Sequence, residues 1–207
     1  MKDIKVVTTF HKPGLELYGQ RFLDSFSQNV DKQIKMLVYA EDCKPHNPDP
    51  EQITILDARE TLPALNAFKD KWRGVPKANG TPPPEIRARR PRDHHKAFKW
   101  DAVRFANKVY AVLDACDRSK DWCVWMDADT YVHSRWDYSD FSDCLPQTSW
   151  ITYVGRGKGS QTWPECGFYG LNLRDGVCVE FLEKFKTMYD DAERGIFTLE
   201  EWHDSYV

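Results

Sequence analysis

The sequence has no apolar run long enough to span a membrane. The one near its start, inside "MKDIKVVTTF", is flanked by lysines and too short for the core of a secretory signal, so a cytoplasmic address is expected. No C-x-x-C pair occurs among the six cysteines, Cys43, Cys116, Cys123, Cys144, Cys166 and Cys178, which removes zinc-type spacing. Three of them lie in apolar periodic segments of a sizeable chain, and buried free thiols are expected rather than a disulfide framework. An excess of one charge is missing as well: 29 Lys and Arg against 32 Asp and Glu leave a net charge of -3. That balance supplies no general field for nucleic acid, and nucleic acid is not expected as a partner. Internal repeats and domain linkers are absent. What is present is 41% apolar and 29% charged residues in a chain of 207, which excludes a disordered tail and suits one folded domain over 1–207.

Hydrophobic periodicity orders the chain. "IKVVTTF" (4–10) predicts a strand, and Leu15, Tyr18, Phe22 and Phe26 follow at helical spacing. "IKMLVYA" (34–40) and "ITIL" (53–56) are short continuous apolar runs, the pattern of strands covered on both faces; the prolines at 45, 48 and 50 separate them. A helix is expected over about 60–72. Residues 73–95 are rich in Pro, Gly and Arg and predict a long basic surface loop. Phe98, Ala102, Phe105, Ala106, Val109, Val112, Leu113 and Cys116 form the clearest helical stripe, leading into the strand "WCVWM". Two further strands, "WITYV" (150–154) and "CGFYGLNL" (166–173), flank a glycine-rich loop, and a helix carrying Cys178, Phe181, Leu182, Phe185, Met188 and Tyr189 closes the pattern. Strands alternating with helices predict an α/β domain with a Rossmann-like, mainly parallel central sheet flanked by helices.

In such sheets ligands bind at the carboxyl ends of the strands. There "WCVWMDADTYV" presents Asp127 and Asp129 one residue apart, two like charges that repel unless a cation joins them. Oxygen-only donors suit a hard divalent ion, Mg²⁺ or Mn²⁺, which keeps positions open for water and substrate phosphate. A metal held this way neutralises a diphosphate leaving group. The bland alternative is a turn rich in aspartate at a strand end; the hydrophobic strand that the pair closes favours the metal.

"CVWMDADTYV" resembles the D-x-D strand of nucleotide-sugar-dependent glycosyltransferases of the GT-A fold, nearest in motif to the glycogenin-like family. "HHKAFKWDAV" supplies Lys96 and Trp100 in the order in which that family places a phosphate-binding lysine and a tryptophan before its D-x-D strand. The resemblance implies a single GT-A-like domain moving a sugar from a nucleoside-diphosphate sugar, UDP-linked by preference, to a hydroxyl acceptor. It places Thr8, Thr9 and Phe10 beside the base, Asp101 and Arg104 along the nucleotide, Ala128 beside it within the D-x-D, and Glu165, Cys166 and Gly167 in the sugar pocket. It also points to Asp204 against the transferred sugar, although "WHDS" replaces the family's glycine-aspartate-glutamine triplet. Asp127 and Asp129 become metal ligands, with His203 standing in for the family's histidine. Asp204 or Glu165 would take the acceptor's proton if the reaction inverts.

Residue chemistry runs alongside. A lysine and a helix start both favour diphosphate. Trp100 shares a helix side with Val103 and Tyr110, which points to packing, and Asp101 with Arg104 has the spacing of a helix-surface ion pair. Residues 73–95 carry basic side chains and are expected as a flap that closes over the sugar nucleotide or meets an anionic acceptor, or as a solvated loop; with no aromatic for base stacking, a nucleic-acid-binding arm is the least favoured reading. Two other readings stand: a binding module without turnover, and a haloacid-dehalogenase-type phosphatase, whose signature wants Thr or Val where Tyr131 stands.

Overall fold

The computed structural model describes residues 1–90, 97–155, 164–204 and 206–207. β1 (Ile4–His11) runs into a helical turn, α1 (Lys12–Gly14), a five-residue π-helical turn (Leu15–Gly19) and α2 (Gln20–Asn29). β2 (Lys35–Glu41) and β3 (Ile53–Asp57) come next, then α3 (Ala58–Thr61) and α4 (Pro63–Trp72). Pro63 opens α4 at a position where its missing N–H costs nothing. α5 (Pro84–Arg89), α6 (Ala102–Asp117), β4 (Trp122–Met126), α7 (Tyr138–Asp143), β5 (Ile151–Val154), β6 (Glu165–Asn172) and α8 (Gly176–Asp190) complete the set.

The strands form one mixed sheet in the order β3-β2-β1-β4-β6-β5. β1 is parallel to β2 and β4, and β2 to β3; β6 is antiparallel to both β4 and β5. The domain is therefore α/β with a mostly parallel sheet, and its one reversed strand is β6.

Side chains of a strand alternate between faces, and β1 shows what that does. Ile4, Val6 and Phe10 pack with Phe22, Leu23 and Phe26 of α2, whereas Val7 joins the opposite layer with Val109 and Val112 of α6. Both faces of the sheet are covered, which is why β2 and β4 read as unbroken apolar runs. On the α6 side, Phe68, Tyr110 and Tyr189 meet with ring centroids 5.7–6.3 Å apart and lock α4, α6 and α8 together.

Residues 73–90 depart from the expected loop. Ala78 and Ile86 are buried in the same core. Three of the basic residues are tied down: Lys77 pairs with Glu193, Arg89 with Glu200, and Arg90 with Glu200 and Glu201. Arg89 and Arg90 thus anchor the C-terminal segment. The rest of that stretch, and Lys96, lie outside the described residues. Among the described residues no helix is long and apolar enough to cross a membrane, and none of the cysteines is in a disulfide.

Candidate active site

After β1 the chain moves outward to β2 and β3, then returns to place β4 on β1's other side. That reversal opens a crevice at the carboxyl ends of β1 and β4. A cavity of about 780 Å³ occupies it, lined by the ends of β1, β2 and β4, the start of β6, one face of α6 and Asp204. A second cavity, of about 610 Å³, lies at the opposite sheet end, where Lys2 and Asp121 are already engaged by Ser142, Leu145 and Arg174.

The D-x-D turn is built from backbone outward. The Asp127 N–H donates to the Gly167 carbonyl at 2.8 Å, the last rung between β4 and β6. Thr130 donates both its N–H (3.2 Å) and its hydroxyl (2.6 Å) to the Asp127 carbonyl, closing the turn. Ala128 is buried, so its two neighbours diverge. Asp127 turns inward with 39% of its side chain exposed, while Asp129 is exposed at the cavity wall and makes no hydrogen bond or ion pair among the described residues.

The acid that faces Asp127 is Asp204, and the cation between them is Lys108. Its ammonium, on a side chain 8% exposed, donates to Asp204 Oδ2 at 2.5 Å and to the Cys166 carbonyl at 2.6 Å, and lies 3.4 Å from Asp127 Oδ1. The Trp125 and Tyr169 rings flank it, with centroids 4.6 and 5.2 Å away. Trp125 Nε1–H also donates to Asp127 Oδ1 at 2.6 Å. Burial pushes the Asp127 carboxyl above its usual range; Lys108 and the Trp125 hydrogen bond pull it down, and the charges of Asp204 and Asp129 push it up again. An internal ammonium, which the sequence reading did not include, thus joins Asp127 to Asp204.

The C-terminal segment delivers Asp204. The Trp202 N–H donates to the Lys99 carbonyl at 2.7 Å and the Trp202 ring is buried. Glu201, also buried, accepts from Lys99 at 3.0 Å and from Arg90, and meets His203 Nε2 at 2.8 Å. Desolvation pushes the Glu201 carboxyl up, but the Lys99 and His203 hydrogen bonds and charges outweigh it and hold the acid below its ordinary value.

Of the residues singled out from the sequence, Thr9, Phe10, Asp101, Arg104, Asp127, Ala128, Asp129, Glu165, Cys166 and Asp204 line this one cavity. Gly167 backs it: a Cβ there would sit 3.3 Å from Asp127 Oδ2 and 3.4 Å from Glu165 Oε1. Three residues are elsewhere. Thr8 points to the α2 face, fully buried, with no partner for its hydroxyl among the described residues. Trp100 is core, its Nε1–H donating to the Glu200 carbonyl at 3.0 Å. His203 does not line the cavity; it is buried against Glu201 amid Phe98, Phe105 and Tyr206. Asp101 is not Arg104's ion-pair partner but the N-cap of α6, accepting from the Arg104 N–H at 3.0 Å.

Lys108 escaped the reading because periodicity counts apolar residues, and a lysine inside "NKVYAV" registers as a gap in the stripe. The usable signal was its place two residues after Ala106 and one before Val109, within the arc that α6 buries. A charge buried that deeply needs paired partners.

The donor set also bears on a metal. Among the described residues no three His, Cys, Asp or Glu converge as ligands. Asp127 Oδ2 and the Asp129 carboxylate remain, and two carboxylates completed by water and substrate phosphate match how Mg²⁺ is commonly held. The residues fit such an ion with Asp127 and Asp129 as its protein donors, and without His203.

No family model matches the chain, and no curated protein matches it. Among solved structures it is similar to WbbM, a bifunctional glycosyltransferase in its apo form, with 12% sequence identity and a TM-score of 0.49. The likeness covers 91% of this chain and 35% of that one, so the chain spans about a third of the length of the solved protein it matches.

Proposed function

We propose that the chain is a metal-dependent glycosyltransferase that moves a sugar from a nucleoside-diphosphate sugar, UDP-linked by preference, to a hydroxyl acceptor. One observation carries this: at the switch point of an α/β sheet, Lys108 holds Asp127 and Asp204 together beside an acid, Asp129, that makes no hydrogen bond or ion pair among the described residues. The resemblance of "CVWMDADTYV" to the D-x-D strand of GT-A enzymes supports the same reading.

Asp127 and Asp129 would hold Mn²⁺ or Mg²⁺, whose contribution when bound is to neutralise charge on the departing diphosphate. The chain's own groups do the rest. Lys108 bridges two carboxylates at close range, which leaves Asp127 as a ligand and Asp204 as a hydrogen-bond acceptor for donor-sugar hydroxyls. Arg104, on the cavity wall, would face the nucleotide. Glu165, at the start of β6, is placed to take the acceptor's proton if configuration inverts; if it is retained, the leaving phosphate oxygen takes it. The fixed carboxylates, ammonium and rings form before substrate arrives, which limits reorganisation at the moment of transfer.

Thermal-shift measurements with UDP-, GDP-, CMP- and dTDP-sugars, with and without Mn²⁺, test this, followed by assay of released diphosphate. A manganese-dependent shift that Asp129→Ala abolishes, together with diphosphate release, is expected. Binding without release would reduce the chain to a nucleotide-sugar-binding module, and phosphate released from phosphomonoesters instead would make it a phosphatase.

A further inference from the structure

The walls of the crevice differ in what they leave open. At the end of β2 the wall is bonded to itself: Lys69 of α4 donates to Glu41 and, at 2.7 Å, to Asn107 Oδ1. The lip on the α2 side is different. There the chain leaves the D-x-D turn through Tyr131, whose ring is 53% exposed although both of its neighbours are pinned. Thr130 is bonded to the Asp127 carbonyl; the Val132 N–H donates to Ser25 Oγ at 3.1 Å, and the Val132 carbonyl accepts from Asn29 Nδ2 at 2.7 Å. A ring held on both sides has no route back into the core. Arg21 backs it with its guanidinium carbon 4.8 Å from the ring centroid, and the His133 ring meets it edge-on at 6.4 Å. Among the described residues the Arg21 and His133 side chains make no hydrogen bond or ion pair. Two tethers keep this lip at the mouth of the cavity. Tyr131 follows Asp129 by two residues, a reach of at most about 7 Å, and Arg21 follows the cavity-lining Tyr18 by three, on the same side of the helical stretch.

We infer that the acceptor is itself a saccharide chain, and that Tyr131 is the platform for the sugar next to the one whose hydroxyl reacts. The inference rests on the glycosyltransferase reading above and deepens it by naming the acceptor. A pyranose carries C–H bonds on its faces and hydroxyls around its rim. Its C–H hydrogens bear partial positive charge and meet the negative face of the tyrosine ring, while Arg21 and His133, both able to donate, flank that ring where rim hydroxyls fall. The guanidinium takes one face of the ring and the sugar takes the exposed one. An acyl chain needs a continuous apolar strip, and among the described residues the one other large apolar side chain exposed on this lip is Leu17, a turn before Arg21. The pinned backbone fixes the platform before the ligand arrives, which lowers the cost of binding. Lys108 and Asp204 stand on the α6 side of the D-x-D turn and Tyr131 on the α2 side, so donor sugar and acceptor chain reach Asp129 from different sides.

NMR titration with maltose, cellobiose, lactose and the methyl glycosides of glucose and galactose tests it, alongside calorimetric titration of UDP with Mn²⁺, in the wild-type protein, Tyr131→Phe and Tyr131→Ala, with thermal melts to verify folding. At least one disaccharide should bind the wild type about 10-fold more tightly than its methyl glycoside. Tyr131→Ala should erase that advantage and leave UDP affinity within about twofold; Tyr131→Phe should keep it, because the ring and not the hydroxyl is the platform. In diphosphate-release assays with UDP-glucose or UDP-galactose, the same disaccharide should be the better acceptor, and Tyr131→Ala should raise its KM with kcat little changed. Equal binding of the one-sugar and two-sugar ligands, an advantage that survives Tyr131→Ala, or no saccharide binding beside normal UDP binding overturns the inference and leaves the functional reading standing. If UDP with Mn²⁺ does not bind the wild type, the functional reading falls and takes this one with it.

Discussion

Replacing Lys108 by methionine keeps the length of the side chain and removes its charge, leaving Asp127 and Asp204 face to face. Breaking a fully buried ion pair by deleting one partner costs about 3–5 kcal/mol. Here Asp204 is 18% and Asp127 39% exposed, so water absorbs part of the penalty and the pair is discounted to about 2–3 kcal/mol. The Cys166 carbonyl loses its donor and two rings lose their cation, adding up to about 1 kcal/mol. A deficit of about 2–4 kcal/mol at neutral pH follows, measured by urea unfolding. The pH dependence is the sharper test. A carboxyl whose folded-state value is raised, as Asp127's is, lends stability below its unfolded value and loses it as pH rises through the raised one. Without Lys108 that rise is larger, so the deficit of the variant should be smallest near about pH 4 and grow toward neutrality. Lys108→Met/Asp204→Asn should recover part of the loss. A neutral-pH deficit under about 1 kcal/mol, or one that ignores pH, would refute the assignment of Lys108 as the counter-ion of both acids.

Three further changes probe other parts of the molecule. Thr8→Val replaces a buried, unpartnered hydroxyl by a methyl of similar shape and should raise stability by about 0.5–1 kcal/mol in urea unfolding. Gly167→Ala would place a Cβ 3.3 Å from Asp127 Oδ2; the carboxylate must shift by a few tenths of an ångström, and calorimetry should show weaker manganese-dependent UDP binding with little change in Tm. Glu201's carboxyl is held below its ordinary 4.5, so its contribution is present above that value and lost as pH falls through the depressed one. Glu201→Gln should cost about 2 kcal/mol at neutral pH and flatten the acid limb, with hydrogen exchange of the Trp202 amide as the local readout.

Legibility followed how much each feature depends on local pattern. β2 and β4 are covered on both faces, so their apolar runs stand out; α6 and α8 carry long stripes, and their ends fall within a few residues of the expected spans. The reversal of β6 left no trace, because strand direction is set by a partner in space and not by composition. α5 and α7, each six residues long, are too short for periodicity to register. At the site, the D-x-D was visible because its turn is local. Lys108, Glu41 and Lys69 were not, since each acquires its chemistry from partners at least 19 residues away. Trp100 and His203 were carried by resemblance toward a cavity that they do not reach; their packing against the C-terminal segment depends on contacts that no motif encodes.

That segment carries a consequence for biosynthesis. The wall of the crevice joins β1 to Asp204, which is synthesised after every strand of the sheet. The strands and α6 can assemble beforehand, but until residues 199–204 are released Lys108 has only Asp127 as its acidic partner and the crevice lacks one side. Chains ended before Asp204 would thus hold the assembled strands without one wall of the crevice, and ligand affinity, rather than secondary structure, would report that synthesis has passed Asp204.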